Sequence, residues 1–87
     1  MTNPESLEKI TEMAAALMLP EEIAILLDFP VERFCYLVAS KPDSPQHIAF
    51  MKGRLQTKFE LRKKVVSLAK VGSPQAELLC DKYLNNE

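Results

Sequence analysis

The segment VERFCYLVAS and the lysine that follows it hold the first residues that could do chemistry on a partner. Read as a helix, it turns Arg33, Tyr36, Ser40 and Lys41 outward together with Glu32. Arginine and tyrosine can reach base edges or phosphates, and serine and lysine can donate to phosphate oxygens. Glu32 can accept from a cytosine amino group, but beside phosphates it repels. A second set lies further along: Lys52, Lys63 and Lys70 fall close to one angular line at 100° per residue, with Lys64 flanking and only Glu60 opposing. Such a stripe suits the regular negative charge of a nucleic-acid backbone, although lysine-rich faces are also commonly just solvated.

The charge balance points the same way. Residues 1 to 50 carry three bases against eight acids, giving −5, and residues 51 to 87 carry eight bases against four acids, giving +4. The formal net charge of −1 therefore conceals a dipolar chain.

Little else has the pattern of a reactive site. Cys35 and Cys80 stand 45 positions apart and neither belongs to a C-x-x-C pair, so both are expected to be reduced, buried thiols. His47, the single histidine, follows Ser44 and Pro45 and is expected in a first helical turn, not as a base or ligand. No carboxylate pair, nucleophile with base, phosphate-cradling glycine loop or metal-ligand cluster is apparent. The expectation is a non-enzymatic protein without cofactor or metal.

The elements that position these residues follow from punctuation by proline and glycine. Eighty-seven residues, 47% apolar and 26% charged, suit one folded domain over residues 1 to 87. Thr2 with Glu5 can form a capping box, Pro4 suits a first turn, and the spacing of Leu7, Ile10, Met13, Ala14, Leu17 and Met18 predicts a helix over about 4 to 18. Pro20 opens a second helix with Glu21 and Glu22 at its positive end, and Pro30 leads into a third over about 31 to 40. Ser44-Pro45-Gln46 and Ser73-Pro74-Gln75 each read as an N-cap serine with proline at the first helical position. They bracket a long helix over about 45 to 71, closed by Gly72 in a left-handed conformation, and a last helix over about 73 to 84. The terminal Asn-Asn-Glu is expected to fray. No stretch alternates with period two over strand length, so the fold is expected to be all-α with five helices. No apolar run reaches a membrane span and the start lacks a signal peptide, which predicts a cytoplasmic protein.

Residues 20 to 40 fit a helix-turn-helix. That motif requires a small residue where its helices touch and apolar residues at set offsets from it. With Ala24 as the small contact, Ile23 and Leu27 face inward, Phe29 is the apolar turn residue, and Phe34 and Leu37 anchor the second helix. The turn position that favours glycine is Asp28, and aspartate tolerates a left-handed backbone. The alternative is a helical hairpin that only fills a core.

On the long helix Arg54, Lys58 and Arg62 form an i, i+4, i+8 row that overlaps the apolar arc of Met51, Leu55, Val65 and Ala69. Charges beside apolar residues on a helix about 40 Å long suggest cover by another subunit, so Arg54, Leu55, Lys58 and Arg62 are candidate oligomerisation residues. The alternative is snorkelling of long side chains over the core edge.

The stretch AFMKGRLQTKFELRKKVVSLAKVGSPQAELLCDKYL, residues 49 to 84, resembles the tail of small helix-turn-helix proteins of phages and prophages, including terminase small-subunit-like DNA-packaging proteins. The residues that carry the resemblance are Phe50, Gly53, the pair Leu61-Arg62, Ala69, Gly72 and Ala76, preceded by PEEIAILLDFPVERF. The resemblance implies binding of double-stranded DNA through the helix-turn-helix, assembly into a homo-oligomer, commonly a ring, and recruitment of a large packaging subunit. It implies no catalytic site. The competing expectation is a helical oligomerisation or adaptor module that does not bind DNA.

Overall fold

The computed structural model describes residues 1–85. Among them the protein is all-α, with five helices: α1 (Pro4–Ala15), α2 (Pro20–Leu26), α3 (Val31–Ser40), α4 (Pro45–Lys70) and α5 (Pro74–Asn85). Of the Asn-Asn-Glu expected to fray, Asn85 instead closes α5, and residues 86 and 87 lie outside the described residues.

Helix starts follow the predicted proline logic with one correction. Asn3, not Thr2, caps α1: its extended backbone precedes Pro4, and its side-chain oxygen accepts from the Ser6 N–H at 2.8 Å. Proline fixes the first helical residue, and the capping position is therefore the residue just before it. Ser44 and Ser73 act as expected, their hydroxyls accepting from the His47 and Ala76 N–H groups at 3.1 and 3.4 Å. At α2 the Glu22 carboxylate accepts from the Leu19 N–H at 2.8 Å.

Three helices end alike. Leu17 (φ 64°), Asp28 (φ 59°) and Gly72 (φ 95°) are left-handed. At each, the N–H of that residue and of the next reach back three and five positions, as in Leu17 to Ala14, Met18 to Met13, Phe29 to Ala24 and Ser73 to Leu68. This is the Schellman arrangement, which satisfies the last carbonyls of a helix. It explains why α1 stops at Ala15, short of the predicted residue 18: Leu17 leaves the helical region although no glycine marks the spot.

The chain divides into two compact units, residues 1–57 and 58–87. In unit 1 the core is Ile10 and Ala14 of α1, Ile23 and Ala24 of α2, Phe34 and Val38 of α3, and Ala49 and Phe50 of α4. The α1–α4 crossing is very close. A Cβ on Gly53 would lie 2.2 Å from the Thr11 carbonyl oxygen and 2.8 Å from the Ala14 Cβ. The Thr11 hydroxyl donates to the Ala49 carbonyl at 3.0 Å, and the Thr57 hydroxyl donates to the Ala15 carbonyl. Unit 2 comprises the remainder of α4 and α5. Among its described residues only Ala76 is buried. No helix among the described residues is long and apolar enough to cross a membrane.

Candidate nucleic-acid interface

The helix-turn-helix positions fall where the spacing put them. Ile23, Ala24 and Phe34 are fully buried, and Leu27, Phe29 and Leu37 are half-buried. α2 packs on α3 across the turn, and the Phe29 and Phe34 rings meet at 5.5 Å between centroids, tilted by 42°. Asp28 holds the left-handed turn position. Apolar anchors on both sides of a stiff turn thus fix the angle at which α3 is presented.

α3 buries a narrow stripe of Phe34 and Val38 and exposes Arg33, Tyr36 and Ser40, with Lys41 exposed at its C-cap. The Lys41 ammonium lies over the Tyr36 ring at 5.9 Å, within cation–π range. Acids share this surface: Glu32 is exposed, and the Glu21 carboxylate accepts from the Cys35 thiol at 3.6 Å. Partial burial, then the hydrogen bond and the charge of Glu21, push the Cys35 thiol above its ordinary pKa. Both cysteines are free and half-buried, a correction to the fully buried thiols expected. His47 lies in the first turn of α4, its Nδ1 hydrogen-bonded with the Val38 carbonyl, which ties α4 to α3. Among the described residues no group of three histidine, cysteine or acidic side chains could hold a metal ion.

The lysines of α4 are divided. Lys52 lies in unit 1 on the α1 side of the helix, lining a groove with Glu8 and Glu12, so the α3 face gains nothing from it. Lys63, Lys64 and Lys70 lie in unit 2 and are exposed. Lys63 and Lys70 border one shallow depression with Phe59 and Val66. Lys63 is 3.9 Å from Glu60, and its ammonium lies 5.2 Å from the Phe59 ring centre. Lys64 is not part of that depression.

The two arginines of the mixed row have partners inside the chain. The Arg54 guanidinium donates to the Met18 carbonyl at 2.7 Å and stacks over the Phe50 ring at 4.9 Å. α1 has no basic residue in its last turn, so Arg54 supplies from α4 the positive charge that a helix C-terminus favours. In unit 2 the Arg62 guanidinium lies 4.0 Å from the Tyr83 ring centre. Lys58 and Leu55 are exposed. Both arginines thus have contacts within their own units.

No protein-family profile, characterised protein or solved structure matches the chain.

Two features escaped the sequence reading. Gly53 entered it only through a resemblance, yet a glycine inside a helix costs about 1 kcal/mol relative to alanine and by itself signals a close backbone approach. The acidic groove beside α1 had a fainter signal, the spacing of Glu5, Glu8 and Glu12 at i, i+3 and i+7.

Proposed function

We propose that the protein is a non-enzymatic, DNA-binding accessory of phage or prophage type, similar to a terminase small subunit and acting in the cytoplasm. The observation that carries this reading is α3 itself. It is braced by a buried Ala24 contact and a left-handed Asp28 turn, and its outer face with Arg33, Tyr36, Ser40 and Lys41 is left open. Lys63, Lys64 and Lys70 contribute phosphate contacts, and a large packaging subunit is the protein partner that this reading brings with it.

Binding is then mostly electrostatic. In mobility shifts on random and phage-derived duplexes, affinity falls steeply with salt, with a logarithmic slope of about 0.9 per phosphate neutralised. Arg33→Ala weakens preference among sequences by about 1–3 kcal/mol if that side chain pairs with guanine. Lys63→Ala with Lys64→Ala weakens all sequences alike and flattens the slope by about 2. Absence of any shifted duplex at low salt ends this reading.

A specific observation favours a second one, an oligomerisation or adaptor module. Unit 2 exposes Phe59, Leu61, Leu68, Leu78 and Leu84, each more than half accessible, around a single buried alanine. Two helices with so small a core gain little from burial by themselves, and a protein surface would cover them.

A further inference from the structure

Unit 1 carries a groove between α1 and the first half of α4. Leu7 of α1 and Ile48 and Ala49 of α4 give it apolar lining, Glu8 and Glu12 stand on its α1 wall, and Lys52 stands on the α4 wall. Glu5 continues the acidic row one turn earlier, and all three glutamates are exposed. Ile48 is 56% exposed, an aliphatic side chain open to solvent in a concave site.

Unit 2 carries the matching chemistry. Phe59, Lys63, Val66 and Lys70 occupy i, i+4, i+7 and i+11 of α4 and line one shallow depression. Phe59 is 62% and Val66 40% exposed. The two apolar residues are seven positions apart, as are the two lysines, and so are Glu5 and Glu12 on α1. Seven helical residues rise on the order of 10 Å, so acids and bases repeat at the same interval on the two surfaces. An amphipathic helix laid into an apolar groove with complementary charges at its rim is a recurrent recognition mode.

We propose that the α1–α4 groove of one molecule receives the row of Phe59, Lys63, Val66 and Lys70 of a second copy. The Phe59 ring and the Val66 side chain lie on Leu7 and Ile48, and the lysines face the Glu5, Glu8 and Glu12 row. The contact uses different surfaces on the two molecules, so after one contact has formed one copy still offers its row and the other its groove. It is independent of the DNA-binding reading except that both use Lys63 and Lys70.

Light scattering and sedimentation equilibrium test it without DNA. The wild type gives a weight-average mass above 9.8 kDa that rises with concentration and falls as sodium chloride is raised from 0.1 to 0.5 M. Glu8→Lys with Glu12→Lys makes both surfaces basic, and Lys63→Glu with Lys70→Glu makes both acidic, so each variant alone is monomeric. Mixed one to one, the two variants associate again, because each groove now meets a row of opposite charge. All the substituted side chains are exposed, and unchanged helical circular dichroism checks the fold. A monomeric wild type at several hundred micromolar overturns the proposal and leaves the DNA-binding reading standing. Association that is indifferent to salt, that persists in either variant, or that the mixture of folded variants does not restore overturns it equally.

Discussion

Gly53 faces the Thr11 carbonyl so closely that a Cβ there would sit 2.2 Å from the oxygen. The Thr11 oxygen and the Ala15 nitrogen, at 2.9 Å, are backbone atoms and the Ala14 Cβ is fixed to the backbone, so no side-chain rotation relieves the clash. Gly53→Ala must push α1 and α4 apart and disturb the Thr11–Ala49 and Thr57–Ala15 hydrogen bonds. Alanine's better helix propensity recovers about 1 kcal/mol. The expected net loss is about 3 kcal/mol, read from urea denaturation, and an unchanged midpoint would refute the crossing geometry.

Arg54 fastens the end of α1. Its bond to the Met18 carbonyl is charge-assisted, and bonds of that kind contribute about 1.5–3 kcal/mol. Its Nε is buried without a partner, and removing it offsets part of the loss. Arg54→Met keeps much of the stem over Phe50 and is expected to cost about 1–2 kcal/mol. Amide hydrogen exchange should quicken in the last turn of α1 first. Uniform exchange changes would count against a local fastening.

The two left-handed ends with the largest contrast are Leu17 and Gly72. Leucine at φ 64° bears a conformational cost of about 1–2 kcal/mol, and its side chain is 54% exposed. Leu17→Gly is expected to raise stability by about 0.5–1 kcal/mol. At Gly72 an added Cβ would meet no atom within 4 Å, so Gly72→Ala tests backbone conformation alone and is expected to lower stability by about 1 kcal/mol. Opposite shifts in melting temperature are the predicted pair of results.

Cys35 should ionise late. Partial burial and then Glu21 raise its pKa above the usual 9.0, so the folded state holds the thiol neutral more firmly than the unfolded chain does. Any stability from this source is complete below pH 9.0 and is lost as pH rises through the folded value. Iodoacetamide labelling of Cys35 should have its midpoint above 9.0, and Glu21→Gln should move the midpoint down. A midpoint unaffected by that substitution would exclude Glu21 as a cause.

Local chemistry determined much of this protein from sequence. Proline and serine fix helix starts through a single backbone angle and a nearby donor, so α3 falls on the expected residues and α2, α4 and α5 begin within one residue of their prediction. The turn at Asp28 and the buried Ala24, Ile23 and Phe34 were legible because side-chain spacing dictates which face of a short helix is apolar. The outward set of Arg33, Tyr36, Ser40 and Lys41 follows from the same periodicity. What lies across a helix crossing does not. Arg54 looked misplaced among apolar residues because its acceptor, the Met18 carbonyl, is 36 positions away and is a backbone atom that every residue type offers. Gly53 needed its neighbour on α1 to acquire a meaning, and Lys52 faces Glu8 and Glu12, not α3, only because α1 and α3 meet α4 on different sides. Periodicity places a side chain on its own helix, and only packing decides which element that side meets.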